Sequence, residues 1–546
     1  MSTTVAPTKT RWWLPSLVGY RRSWLVPDIV AGLSAGAVVV PQAMAYATIA
    51  NMPVQVGLYT CIVPMFVYAI LGGSRAMSVS TTSTIATLTA TTLVSAGIAA
   101  GSKDALGSLM TLMLIVGVIL VLARLLKLGS LVENISSATV LGVKIGVGAT
   151  VAVGQVPKLL GETTNTSGEG FFRSVVAIGD ALPSLNWPTV ALSVGTILVL
   201  VLLKRFAPMV PGALVVVVGG ILLVAFAGLP DLGVKLIAPV PSGLPVPGLP
   251  DFTHLGALLP GALAIAVMAF LESAAVSRTI RKMSEPPVDS NQELFATGAA
   301  NVLGSFFTTM PAAGGFSQSA VNRNAGAKTQ LATIVTVILA IAVALFLAPV
   351  LSLLPQATLA AMVFVAVVGL IDIPELVRWW SISRRDFWIA LSVAFIGLTV
   401  GLLLAVAVGV AVTLILVLRE LNIPRVIVGD RRGDAIVLTL DQGLYAANAN
   451  ANANEVVRIA SMQDPPVTAV VLDVARLRTI TITVLEAMEG LDRELEHRGV
   501  TLHLAALPEN ATATATHVDW YQGLTAAGRV HATVEEGLAE ASAPVV

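Results

Sequence analysis

Residues 77–92 read MSVSTTSTIATLTATT, and ten of these sixteen side chains are Ser or Thr in otherwise apolar surroundings. The hydroxyls of Ser80, Thr81, Thr82, Ser83 and Thr84 stand where an apolar segment begins. A second polar stretch, GGFSQSAVN (314–322), opens a segment much further along the chain. A helix that starts in a low-dielectric setting exposes free backbone N–H groups and about half a positive charge. Two such starts facing each other would hold an anion without a fixed cation, and hydroxyls beside them would add donors. Thr87, Thr89, Thr91 and Thr92 lie deeper in the segment and are expected to pack, or to bond back to their own helix. Glu272, in VMAFLESAAVSR, is the one carboxylate well inside an apolar run. An ionisable group there is costly, and proton binding is expected of it. Lys144, in TVLGVKIGVG, is the other intramembrane charge, expected either to pair with Glu272 or to reach an interface. Pro41-Gln42 interrupts an apolar run at a comparable depth. Proline removes a backbone donor, which would either open that helix to a ligand or simply kink it.

The elements that must position these residues are membrane helices. The chain has 546 residues, of which 55% are hydrophobic and 12% charged; about 25% charged is usual for a soluble domain. Zero formal net charge gives no reason to expect a nucleic-acid partner. Fourteen apolar segments are predicted, at 28–50, 54–72, 78–99, 107–126, 131–157, 187–206, 210–228, 255–276, 291–307, 315–326, 328–350, 356–373, 386–399 and 401–419. With the N-terminus in the cytosol, inside connections collect Arg21, Arg22, Arg75, Arg124, Lys127, Lys204, Arg205, Arg278, Arg281, Lys282, Arg323, Lys328, Arg378, Arg384, Arg385 and Arg419. Outside connections hold only Lys103, Lys158, Arg173 and Lys235, an asymmetry that places both termini in the cytosol. Trp12, Trp13, Tyr20 and Trp24 in the run RWWLPSLVGYRRSWLVPD are expected at headgroup depth. Fourteen divides as seven plus seven, and seven is odd, so a duplicated second half would run inverted. The two segments with polar starts, the third and the tenth, are seven apart. The tenth is also too short to cross a hydrocarbon core of about 30 Å.

Composition changes near Gly429. DAIVLTL, TAVVLDV and TLHLAAL read as strands, and TVLEAMEGLDRELEHRG as an amphipathic helix with Leu485, Met488, Leu491 and Leu495 on one face. A small cytosolic α/β domain is expected over residues 434–540, after a 1–27 interfacial N-terminus and a 28–425 membrane domain. ANANANANE, ending at Glu455, is expected to be a loop or a helix lead-in. The single cysteine, Cys61, excludes an intrachain disulfide, and the five histidines show no metal-ligand spacing. With no nucleophile–base set or nucleotide loop either, no enzyme activity, cofactor or metal is expected.

These motifs resemble one family. AGLSAGAVVVPQAMAYATIANMPVQVGLYT, LGGSRAMSVS, and ESAAVSRTI followed by DSNQELFATGAANVLGSFFTTMPAAGGFSQSAVNRNAGAKTQ are similar to the SulP anion transporters, solute carrier family 26. The likeness covers residues 20–425. GLYAANA, VVLDVARLRTITITVLEAMEGL and RGVTLHLAAL in the tail resemble the STAS domain that follows in that family. The resemblance implies two inverted seven-span repeats forming a core and a gate domain, a homodimer, and elevator-like transport of anions such as sulfate, bicarbonate, chloride, oxalate and dicarboxylates. Carried over by position, it implies an anion site at Thr81, Thr82 and Ser83 in span three and at Gly315, Phe316, Ser317 and Gln318 in span ten. Glu272 falls on the family's acidic position in span eight, and Gln42 on its polar position in span one.

Departures shape the expectation. Many members have Gly-Pro at Ser80-Thr81 and Arg at Gln318, so binding here would rest on dipoles and hydroxyls. Sodium-coupled members pair an Asp with a Thr where this chain has Glu272 and Val276. An apolar Val cannot ligate a hard cation, which favours proton symport through Glu272, or anion exchange. In the tail, the family's Asp-Ser/Thr phosphoregulatory motif is Thr481-Ile482-Thr483 here, which argues against switching by phosphorylation. Together these lead to the expectation of a plasma-membrane transporter of a small inorganic anion, sulfate first, coupled to protons. Other family anions are the alternatives. A nucleobase–proton permease fits less well, because its site should offer more carboxylates. A STAS-based anion sensor or scaffold is the reading from another class.

Overall fold

The structure, a computed structural model, describes residues 13–99, 101–102, 104–129, 137–162, 170–207, 210–283, 285, 287–369, 371–477 and 480–543. Trp12 of the aromatic run, Lys103, and positions 131–136 at the predicted start of the fifth segment lie outside the described residues. The chain divides into two compact units, Met1–Ala411 and Val412–Val546.

In the first unit every predicted segment has a helix, and the last of these crosses into the second unit. Spans one to seven are Leu25–Ile49, Val54–Leu71 (with a break after Thr60), Ser83–Ser95, Ala105–Leu125, Ser137–Leu160, Trp187–Phe206 and Gly212–Ala227. Spans eight to fourteen are Leu255–Ile280, Ser290–Gly304, Phe316–Asn324, Leu331–Leu351, Gln356–Val368, Arg384–Thr399 and Leu402–Leu421. Among the described residues nine helices are long and apolar enough to cross a membrane; spans three, seven, nine, ten and thirteen are the shorter ones. Two expectations change here. Span three begins at Ser83, because residues 79–80 are extended and Thr82 caps the helix. Span one runs unbroken through Pro41, so proline costs it one hydrogen bond without opening it.

Packing follows the predicted repeat. Span one packs on ten and eleven, as span eight packs on three and four; five packs on thirteen, as twelve packs on six. Each pair maps onto the other by a shift of seven spans. Spans one to four pack with eight to eleven as a core domain, while spans five to seven pack with twelve and thirteen as a gate domain. Span fourteen joins the gate where the Thr139 hydroxyl of span five donates to the Gly409 carbonyl at 3.1 Å.

Two buried carboxylates close loops within the core. Asp28 accepts from the Lys328 and Thr329 amides at 2.6 and 3.0 Å and from the Thr329 hydroxyl at 2.6 Å. Glu293 accepts from the Gly73 and Ser74 amides at 2.9 and 3.1 Å and from the Tyr68 hydroxyl at 2.7 Å. Each satisfies backbone donors that burial would otherwise strand, at about 1–3 kcal/mol apiece. Glu293 holds the turn leading into span three, and Asp28 the turn leading into span eleven.

The second unit carries a five-stranded sheet of order β3-β4-β5-β6-β7, where β3 is Val426–Arg432, β4 Ala435–Leu440, β5 Ala469–Asp473, β6 Thr501–Ala505 and β7 Val530–His531. The β3–β4 pair is antiparallel and the others are parallel. The sheet therefore starts at Val426, ahead of the expected 434. The Asn-Ala run is helical, inside Ala449–Ser461, and its asparagines have structural work. Asn452 is buried and its Oδ1 accepts from the Arg425 amide at 3.0 Å.

His503 and His531 stack in this unit with Nδ1 and Nε2 3.0 Å apart. Burial, then the positive potential of His531 and Arg529, pushes His503 down to about 4. Its proton is therefore bound more weakly when folded than when unfolded. The unit should lose stability as pH falls from the unfolded value near 6.5 toward 4. In the intact chain, amide exchange protection of β5 and β6, corrected for intrinsic rates, should fall between about pH 7.5 and about pH 5. His503→Gln should flatten that dependence; an unchanged slope would contradict this assignment.

Candidate functional site

The two polar runs meet. β1 (Val79–Ser80) pairs antiparallel with β2 (Ala313–Gly314), with Val79 opposite Gly314 and Ser80 opposite Ala313. Around this pair the Gly315 amide donates to the Ser78 carbonyl at 3.1 Å, and the Ser78 amide to the Ser319 hydroxyl at 3.0 Å. The Ser273 hydroxyl of span eight accepts from the Gly314 amide at 2.9 Å. Spans three and ten thus begin side by side in the middle of the core, capped by Thr82 and Gly315. At Gly315 a Cβ would lie 2.5 Å from the Gln318 amide nitrogen, so a larger residue would displace that side chain.

A cavity of about 520 Å³ opens onto both helix starts. At about 30 Å³ per water, that is space for roughly 17 waters, enough for a small anion that keeps part of its hydration. Gln42, Thr81, Thr82, Ser83, Glu272, Gly315, Phe316, Ser317, Gln318 and Lys144 all line it. The core supplies all of these except Lys144, which comes from span five of the gate. The charged residues of the lining are Lys144, Lys204 and Glu272.

Their contacts differ. Thr81 is 1% exposed, and its hydroxyl has no hydrogen-bond partner. The Thr82 hydroxyl donates to Glu272 Oε2 at 2.8 Å and accepts from the Ile85 amide at 3.3 Å. Gln42 Nε2 reaches the Ser317 hydroxyl at 3.4 Å, joining span one to the start of span ten. The Lys144 ammonium stands over the Phe316 ring, 4.9 Å from its centre. Gln318 reaches the cavity wall, and its amide also makes two bonds within the protein. It accepts from the Ser80 hydroxyl at 2.9 Å and donates to the Ser78 carbonyl at 3.0 Å, which makes it a brace between the helix starts. Thr87, Thr89, Thr91 and Thr92 each donate to the carbonyl four residues back, at 2.7–3.0 Å.

Sequence reasoning missed Ser34, Tyr46 and Lys204 in the lining. Ser34, Val38, Gln42 and Tyr46 recur every four residues, one face of a helix, so extending the period from Gln42 would have found them. Lys204 was counted only as a loop charge.

The sulfate permease family model matches residues 25–393, and the STAS domain model matches residues 427–536. The chain belongs to the sulfate permease family. Within it, the chain is 32% identical over 524 residues to a probable sulfate transporter of Mycobacterium tuberculosis, covering 91% of this chain and 92% of that one. It is also 32% identical over 451 residues to the chloroplastic sulfate transporter 4.1 of Arabidopsis thaliana, covering 80% and 64%. The fold is similar to that of a murine Solute Carrier 26 family anion transporter in the inward-facing state, with TM-score 0.84, 22% identity and 97% and 94% of the two chains covered. The transmembrane domain of a cyanobacterial bicarbonate transporter gives TM-score 0.62 at 21% identity, covering 72% of this chain and 96% of that one. This permease is thus a multi-pass membrane protein with a STAS domain.

Proposed function

We propose that this sulfate permease family member is a secondary active transporter of a small inorganic anion, sulfate first. Protons drive it through Glu272, and the core domain carries the anion past the gate as an elevator. The observation that carries the reading is the Thr81 hydroxyl, buried and unpartnered on a cavity where two helices begin. A buried donor without a partner costs free energy until a ligand accepts from it, and the free N–H groups beside it select an anion. The relatives named above as sulfate transporters support sulfate over other anions. Placement of the helix starts and Glu272 all on the core domain supports elevator movement, because one domain then carries every polar side chain of the lining except Lys144 and Lys204. The basic connections support cytoplasmic termini; the family resemblance is the ground for a plasma-membrane homodimer. A nucleobase is disfavoured, because Glu272 is the one acid in the lining.

Thermal stability of the purified full chain, measured in sulfate, chloride, bicarbonate and oxalate, tests the substrate. Sulfate should stabilise most, by about 2.7 kcal/mol at a hundred times its Kd. A shift with another anion and none with sulfate would replace sulfate in this reading.

A further inference from the structure

We infer that Thr82 is the hydrogen-bond relay through which protonation of Glu272 sets the affinity of the cavity for an anion; this rests on the proton-coupled reading above. Ionised Glu272 can only accept hydrogen bonds, and the one proton of the Thr82 hydroxyl is committed to its Oε2, 2.8 Å away. The same hydroxyl oxygen accepts from the Ile85 amide at 3.3 Å as the cap of span three. A hydroxyl has one proton and two acceptor positions. One acceptor position is therefore filled and one is open, while the proton is committed to Glu272 and not to an anion in the cavity that both residues line.

Protonation reverses the bond. A proton carried in by cavity water forms an O–H bond on Glu272, and the carrier's O–H bond breaks. The new acid donates to the open acceptor position on Thr82. The Thr82 proton then rotates toward the cavity and becomes a donor for the anion. Its O–H bond stays intact, the cap to Ile85 is kept, and Thr82 remains neutral throughout. With Glu272 ionised, the anion and the carboxylate compete for a single proton; with Glu272 protonated, they do not.

Other groups face Glu272. The Thr84 hydroxyl of span three is a second hydrogen-bonding neighbour of the carboxylate, Tyr46 approaches from span one, and Lys144 and Lys204 line the same cavity from the gate. The charge of Glu272 also acts on an anion directly, whether or not Thr82 relays, so the test must separate the two contributions.

Sulfate affinity of the purified full chain at about pH 5.5 and about pH 7.5 does so. The ratio of the two affinities should be at least about tenfold larger in wild type than in Thr82→Val. Thr82→Ser, which keeps the hydroxyl, should restore it. Thr82→Gly removes the hydroxyl but remains a good cap, so it should match Thr82→Val even if the valine chain folds poorly. Glu272→Gln cannot change its protonation and should bind sulfate independently of pH. Equal ratios in wild type, Thr82→Val and Thr82→Gly would overturn the relay and leave Thr82 as a cap and ligand. A pH response that survives Glu272→Gln, or no sulfate binding by wild type at either pH, would instead overturn the proton-coupled reading beneath it.

Discussion

Glu272→Gln should abolish sulfate accumulation driven by an inward proton gradient while leaving sulfate–sulfate exchange measurable. Glu272 is buried, accepts from Thr82 and shares the cavity with both helix starts. In the proposed mechanism a proton bound there enters and leaves the site with the anion. Glutamine keeps the shape and a donor toward Thr82, so the binding surface survives, but it cannot exchange a proton. A gradient of one pH unit is worth about 1.4 kcal/mol per proton, or about tenfold accumulation. In proteoliposomes that accumulation should collapse to equilibration in the variant. Accumulation retained by Glu272→Gln would place coupling elsewhere.

Gly57→Ala should produce the largest loss of stability among single-methyl additions in the core. A Cβ at Gly57 would lie 2.0 Å from the Ala43 carbonyl oxygen of span one and 2.9 Å from the Met44 amide. Both are backbone atoms, so no rotamer change relieves the contact, and spans one and two must separate. Such overpacking costs about 1–3 kcal/mol, and more where the backbone must shift. Ala43 adjoins Gln42, so the displacement reaches the cavity, and sulfate affinity should fall along with the melting temperature. A folded Gly57→Ala chain with wild-type melting temperature and affinity would contradict this close packing.

Much of the plan was legible because membrane burial makes polar residues expensive. Hydroxyls at 80–84, Glu272 and Lys144 stood out against their surroundings, and the seven-span offset between the third and tenth segments tied them into one arrangement. Less was legible where a residue's role depends on a distant partner. Gln318 reads as a ligand, and its second task, bracing Ser78 and Ser80, shows only in the fold. Pro41 reads as a break, yet span one passes through it continuously, packed on spans ten and eleven. The Asn-Ala run reads as low complexity until Asn452 meets Arg425. Strand β3 was hidden because its side chains are largely exposed and it follows an apolar span directly. In each case local composition is ambiguous and a contact far along the chain decides.

The most direct test of proton-driven anion transport at paired helix starts is uptake of labelled sulfate by wild-type protein in proteoliposomes, with and without an inward proton gradient of one pH unit. Accumulation of about tenfold per coupled proton with the gradient, and equilibration without it, is the expected result. Identical uptake in both conditions, or no sulfate uptake in either, would contradict it.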